Sequence, residues 1–307
     1  MRGGLNPTRL RLVPDEGRTV VDALLARFPA DADRLRALVA AGEVVDDLGR
    51  PVTAATLQVP GGVVYLYRDP PADEPRVPFE VEVLHEDDDL LVVDKPHFLA
   101  TTPRGVNVVE SALVRLRTRT GLDELSPAHR LDRATAGVLV LTKRAALRGA
   151  YQTLFQRREV TKVYEAVAPV RDGLLLPRTV LSRIVKVPGT MAAQEVEGEP
   201  NAETWVELVG PVERDAQGRG ASVLGRYRLV PRTGRTHQLR VHMASLGVPI
   251  INDDFFPVLR ERARDDFSAP LQLLARSVRF RDPVTGRERE FTSRRRLEGS
   301  RPPAVDG

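Results

Sequence analysis

The sequence predicts a mixed α and β protein in two parts, and three observations carry that expectation. Apolar residues recur at helical spacing in some segments and in short continuous or alternating runs in others, the two periods of helices and strands. A stretch rich in proline and charge, Asp69-Pro70-Pro71-Ala72-Asp73-Glu74-Pro75, separates a small first part from a larger second one. With 307 residues, 42% of them hydrophobic and 29% charged, the chain has a globular composition and enough length for two cores.

The same composition excludes several classes. No apolar run is long enough to cross a bilayer and no secretory signal opens the chain, so the cytoplasm is the expected location. There is no cysteine, hence no disulfide or thiolate chemistry, and the five histidines have no metal-ligand spacing. Neither a phosphate loop nor a dinucleotide fingerprint occurs, so no metal, nucleotide or other cofactor is expected. The net charge of +4 permits a polyanionic partner without requiring one. Basicity is nearly all arginine, since Lys95, Lys143, Lys162 and Lys186 are the only lysines.

In the first part, Val20, Val21, Leu24, Leu25 and Phe28 have helical spacing over Thr19 to Phe28, and Leu35, Leu38 and Val39 continue it in a second helix stopped by Gly42. Val44-Val45, a turn at Asp46 to Gly49 and the run Val63 to Tyr67 suggest a small β-ribbon. Beyond the proline-rich stretch, Val81 to Leu84 and Leu90 to Val93 read as a hairpin around an acidic turn, Glu86 to Asp89. That turn is expected to be solvated, because consecutive side chains on extended backbone point apart. Val108 to Arg119 reads as an amphipathic helix with Leu113 and Leu116 on one face and Arg115, Arg117 and Arg119 on a solvated basic face that could alternatively touch phosphate. Ala145 to Arg158 reads as another helix, and Val160 to Val167 returns as a strand on which Lys162 and Tyr164 share a face. Leu174 to Gly220 mixes turn-forming residues with strand-like pieces such as Thr204 to Val209 and carries no recognisable chemistry. Arg226 to Val230 reads as a strand, His237 to Leu246 as a helix stopped by Gly247, and Leu273 to Phe280 as the last strand. The arginine-rich residues after Thr292 read as surface or disorder.

One stretch stands out chemically: His129-Arg130-Leu131-Asp132-Arg133-Ala134-Thr135-Ala136-Gly137, running into the apolar strand Val138 to Thr142. Cations on both sides of a carboxylate favour its charged form, so Asp132 reads as an anion and a potential nucleophile. Taken alone, the pattern more commonly marks an aspartate that only pins its loop through Arg130 or Arg133.

Together with Asp94-Lys95-Pro96, Lys162-Val163-Tyr164 and Arg232-Thr233-Gly234-Arg235-Thr236-His237-Gln238-Leu239-Arg240-Val241-His242, in this order, the stretch resembles the RNA pseudouridine synthases of the RluA type. The family usually has Ser where this chain has Ala136, so one loop-supporting hydroxyl is missing. The resemblance implies an α+β fold, the pseudouridine synthase fold with a mixed, largely antiparallel sheet, over residues 76–296. The first part, 1–75 with its linker, resembles the alpha-L RNA-binding module, although Asp31 and Asp33 lie where a basic surface would be expected. Residues 297–307 are expected as a disordered tail.

The resemblance further implies isomerisation of specific uridines in structured RNA, ribosomal or transfer, by a monomer without cofactor. The glycosidic bond at C1′ breaks, the uracil rotates, and it rejoins through carbon 5. Asp132 is then the covalent catalyst, Arg240 the cation paired with it, and Tyr164 the ring that packs on uracil and assists loss of the carbon-5 proton. Arg130 is the candidate for filling the stack vacated by a flipped base. Lys95 belongs at the rim of the site, and His129, Thr135, Gly234, Arg235, His237, Gln238 and Leu239 are the remaining candidate substrate contacts. Two other readings stand beside this one. A hydrolase would need a second carboxylate at a fixed separation, and none is marked out. An RNA-binding protein of the same fold without activity would have no need of Asp132, Tyr164 and Arg240 around one pocket.

Overall fold

The computed structural model describes residues 1–13, 17–67, 71, 73–212 and 223–298. The chain divides into two compact units, Met1–Asp73 and Glu74–Gly307. Most of the expected connection is residues 69–75, of which 69, 70 and 72 lie outside the described residues. Glu74, assigned by sequence to that connection, is instead tied into the second unit, where its carboxylate accepts the backbone N–H groups of Val108, Val109 and Glu110.

In the first unit, strands β1 (Thr8–Arg11), β2 (Val45–Asp46) and β3 (Val63–Leu66) form an antiparallel sheet in the order β1-β3-β2. Helices α1 (Val20–Arg27) and α2 (Ala32–Ala40) share one core with it, including Leu10, Leu24, Leu35, Val44 and Val64. Helix α1 starts where Thr19 and Asp22 cap one another's backbone N–H groups reciprocally, a capping box. Strand β1 escaped the sequence reading because Thr-Arg-Leu-Arg offers one apolar residue among polar ones.

The second unit is built on one eleven-stranded sheet. Its elements in chain order are β4 (Glu82–Glu86), β5 (Leu90–Lys95), α3 (Ala112–Thr120), β6 (Ser126–Pro127), β7 (Ala136–Thr142), α4 (Arg148–Gln156), β8 (Val160–Pro169), β9 (Arg178–Val185), β10 (Gln194–Val196), β11 (Ala202–Pro211), β12 (Leu224–Pro231), α5 (Gln238–Ser245), β13 (Leu273–Arg281) and β14 (Glu288–Thr292). The strand order is β10-β9-β11-β12-β8-β13-β7-β5-β4, with β14 on β13 and β6 on β7. Every pairing is antiparallel except β7 with β13, so the sheet is mixed and largely antiparallel. Strands β5 and β7 are buried along their whole length, which is why they read as continuous apolar runs rather than alternating ones.

Three expectations need correction. Helix α3 begins only after Ser111, which caps it, because the N–H groups of Val108 to Glu110 are already engaged by Glu74. Its arginines do not form a solvated face. Arg115 donates to Val77 O and Phe79 O, Arg117 to Leu125 O and Arg119 to Val81 O, so they hold neighbouring backbone and are not free for phosphate. Finally, the residues just after Thr292 are at the surface in part, with Arg294 and Arg296 exposed, but their backbone is not loose. Buried Asp94 accepts hydrogen bonds from the Ser293 hydroxyl and the backbone N–H groups of Arg294 and Arg295, and Leu297 is in a core cluster with Ala136 and Leu274. The rest of the expected tail, 299–307, lies outside the described residues, as do 213–220 of the stretch without recognisable chemistry.

Candidate active site

Strand register brings three of the sequence motifs into line. Lys95 on β5 lies opposite Gly137 on β7, Gly137 opposite Ala275 on β13, and Ala275 opposite Tyr164 on β8. Directly opposed residues project to one face of a sheet, so Lys95 and Tyr164 flank the end of the Asp132 loop from two sides. The row closes tightly at Gly137. A Cβ there would lie 2.2 Å from Ala275 O, and the residue's φ of +117° is one that other residues rarely adopt.

The Asp132 loop leaves this row with its backbone fixed almost residue by residue. The Thr101 hydroxyl donates to Leu131 O at 2.7 Å and accepts from Leu131 N at 3.1 Å. His97 Nδ1 donates to Ala134 O at 2.8 Å, and because a carbonyl only accepts, that nitrogen carries the proton. Thr135 N closes the turn onto Asp132 O at 3.1 Å. Lys95 Nζ donates to Leu99 O at 2.7 Å and Pro96 O at 3.0 Å, and reaches Arg133 O at 3.4 Å. Lys95 is therefore no rim residue. It is fully buried, and burial pushes its ammonium down to about 7 against the opposing pull of the Asp132 charge. Ala136, where the family usually has Ser, is itself fully buried. The Asp132 carboxylate accepts no hydrogen bond from the described residues, whereas its main chain is held.

Tyr164 packs against two core clusters at once, one containing Ala275 and Leu131 and the other Leu229 and Leu239. Burial, and after it the Asp132 charge, push the phenol up, so the hydroxyl is protonated at neutral pH and close enough to sense the carboxylate.

Arg240 differs from the sequence expectation. Its guanidinium pairs with Asp253, not Asp132: Nε donates to Oδ2 at 2.8 Å and Nη2 to Oδ1 at 2.5 Å, with both side chains almost wholly buried. The rings of Phe255 and Phe256 lie 4.7 and 5.5 Å from the guanidinium carbon, and both of their N–H groups donate to Asp253. A bidentate pair uses the geometry in which arginine binds carboxylate best. The His237 imidazole is close enough to sense both charges. The residue precedes α5 at φ 57°, and its imidazole is pushed down by burial while the Asp132 charge opposes that shift and Arg240 adds to it.

The other candidates divide clearly. Gln238 is consumed by structure: its carbonyl accepts from the Thr233 hydroxyl and Arg235 N, and its amide donates to Glu203 O and Thr204 Oγ1. Leu239 is core. His129 stacks on Phe155 at 4.4 Å and accepts from Val140 N at 3.2 Å, and burial pushes it down to about 3, so it is a neutral structural ring. Thr135 is buried in the loop it terminates. Arg130, Gly234 and Arg235 are exposed. Sequence reasoning missed Asp253, His97 and Thr101. None has a local signal, since their partners lie 13 to 37 residues away.

Comparison with known proteins shows the family. The RNA pseudouridylate synthase family model matches residues 89–245, just over half of the chain and everything from the turn before β5 to the end of α5. The chain belongs to that family. It is 30% identical over 292 residues to the ribosomal large subunit pseudouridine synthase D of Vibrio vulnificus, covering 88% of this chain and 86% of the relative. It is 33% identical over 209 residues to the dual-specificity RNA pseudouridine synthase RluA of the same organism, covering 66% and 78%. The fold is shared with human RNA pseudouridylate synthase domain containing 1, at a TM-score of 0.52 and 22% identity over 72% of this chain and 85% of that one. This RluA-type pseudouridine synthase is thus an isomerase that forms pseudouridine in RNA. Asp132, Tyr164 and Arg240 all fall within the matched residues.

Proposed function

We propose that the enzyme isomerises specific uridines of structured ribosomal or transfer RNA, as a cytoplasmic monomer, with Asp132 as the covalent catalyst. The observation that carries this reading is the contrast at the loop: the Asp132 main chain is pinned, yet its carboxylate accepts no hydrogen bond from the described residues and is open to attack an electrophile. A uridine inside a helix cannot reach that carboxylate, so the target flips out, at a cost of a few kcal/mol. Exposed Arg130, two residues before Asp132, is placed to fill the vacated stack. The flipped uracil packs on Tyr164. When carbon 5 joins C1′ the Asp132 carboxylate is released, and carbon 5 then loses its proton, the step that Tyr164 assists. Arg240, held by Asp253, contributes as a fixed wall of the site and not as the counter-ion of Asp132. The first unit, resembling an alpha-L module, adds RNA affinity.

The test begins with pseudouridine mapping of ribosomal and transfer RNA from cells with and without the gene, followed by tritium release from carbon-5-labelled uridine in the mapped RNA. Asp132→Asn should bind that RNA with near-parental affinity, because phosphate contacts supply most of it, while turnover falls by at least about four orders of magnitude. Turnover within tenfold of the parent would exclude Asp132 as nucleophile. Tyr164→Phe keeps the stack and should lose about two to four orders of magnitude in turnover with little change in affinity. Unchanged turnover would confine Tyr164 to packing.

A further inference from the structure

Lys162 lies two residues before Tyr164 on β8, so both side chains leave the same face of the strand, about 6.6 Å apart along it. A buried ammonium is normally paired with a carboxylate, because an isolated charge is costly to desolvate. Lys162 has no such partner among the described residues. Its one hydrogen bond runs to Thr233 O at 3.4 Å, long for an N–H···O contact. The charged and titratable groups that act on it or feel it are Arg158, a second cation, and the neutral ring of His129. Burial and the Arg158 charge both push Lys162 down, and no acid opposes them. The site therefore carries unbalanced positive charge beside the pocket.

Access to that charge is open. Gly234 sits over the ammonium, where a Cβ would come within 3.9 Å of Nζ. Gly234 is exposed and its backbone lies outside the left-handed region, so the main chain does not call for glycine there. What the missing side chain provides is space above Nζ. Exposed Arg158 adds positive charge near it.

We propose that Lys162, under the Gly234 turn, binds a backbone phosphate of the RNA strand that carries the flipped uridine. This rests on the proposed reaction at Asp132 and extends it to substrate positioning. The separation of Lys162 from Tyr164 is comparable to that between a nucleotide's base and its own phosphate, so one nucleotide can stack on Tyr164 and place its phosphate on Lys162. The phosphate would supply the counter-ion that the protein lacks, and the ammonium would fix where the sugar lies relative to Asp132.

The experiment uses the full-length enzyme and a synthetic stem-loop carrying the mapped uridine, with affinity measured across a salt titration and turnover at saturating RNA. Lys162→Met removes an unpaired, partly buried charge and keeps the apolar stem, so its melting temperature should match or exceed that of the parent. Its affinity should fall roughly five- to tenfold near 0.1 M salt, and the slope of log affinity against log salt should lessen by a little under one, the signature of one lost phosphate contact. Lys162→Arg should retain the parental slope. A slope unchanged in Lys162→Met overturns the proposal. Should that variant not fold, the same contact is read from the RNA: a neutral methylphosphonate at one of the two linkages flanking the uridine must weaken binding to the parent, and equal affinity at both positions overturns it. Failure of the function reading looks different, since the parent itself would then release no tritium from any mapped RNA.

Discussion

On the Asp132 side of the site the main chain is bound at Leu131, Asp132, Arg133 and Ala134 while the carboxylate accepts nothing from the described residues. On the Arg240 side the reverse holds: the guanidinium is locked bidentate to Asp253 between two aromatic rings. A group that must form a bond with substrate needs free lone pairs on a fixed origin, and Asp132 has both. A group whose charge is already paired in a fixed bidentate geometry is framework. The two motif residues that the sequence pairs with each other thus have different roles, and His237 senses both charges.

The sharpest way to break this comparison is at Asp253. Asp253→Ala leaves a buried guanidinium without its anion and should cost about 3 to 5 kcal/mol of stability, whereas Asp132→Asn should cost less than about 1 kcal/mol because its carboxylate forms no hydrogen bond or ion pair among the described residues. Urea midpoints of both variants measure the difference. Equal losses would mean that Arg240 divides itself between the two carboxylates.

A smaller effect is expected on the loop itself. Thr101→Val keeps the shape of the side chain and removes the hydroxyl that both donates to and accepts from Leu131, leaving two buried backbone groups unsatisfied. About 1 to 3 kcal/mol should be lost, and turnover at saturating RNA should fall while affinity holds, since only the origin of Asp132 is loosened. Stability lost without any change in turnover would mean that the pinning of this loop is not what positions the nucleophile.

The distribution of these groups explains what could be read in advance. Strands β5, β7, β8, β12 and β13 were legible because burial on both faces or on one leaves a period in the residues themselves. Strand β9 was not: its inward residues Val180, Ser182 and Ile184 include a polar one, and outward Leu181 is exposed, so the alternation is blurred at both ends. The Arg294 to Arg296 run reads as surface or disorder because composition reports charge and not partners; it is largely exposed, but the contact that orders its backbone comes from Asp94, two hundred residues earlier. Asp132, Tyr164 and Arg240 were visible through their motifs, but the partner of Arg240 was not, since nothing local distinguishes Asp253 from Asp254. Motifs name the residues of a site, and long-range pairing decides which of them are free.

The smallest expected effect concerns acid stability, and it separates the scaffold from the catalyst by pH. His97 holds Ala134 O as a neutral ring, and burial pushes it down to about 4, from an ordinary value near 6.5. Above pH 6.5 neither the folded nor the unfolded chain protonates this ring, so it contributes no pH dependence. As pH falls below 6.5 the unfolded chain takes up a proton that the folded one refuses, and stability is lost progressively until about pH 4, where the folded ring also charges. Near pH 5 the loss from this one group should be about 1 to 2 kcal/mol, read as a fall in urea midpoint between pH 7 and pH 5. His129 has the same sign over a window reaching to about 3, so the parent should show both contributions together. His97→Gln can still donate to Ala134 O but has no titrating ring, and it should remove its own share of the pH dependence while leaving turnover at neutral pH close to that of the parent. If the variant instead loses turnover at neutral pH in proportion to Thr101→Val, His97 is as much a determinant of the Asp132 position as Thr101, and the loop is held by both sides equally.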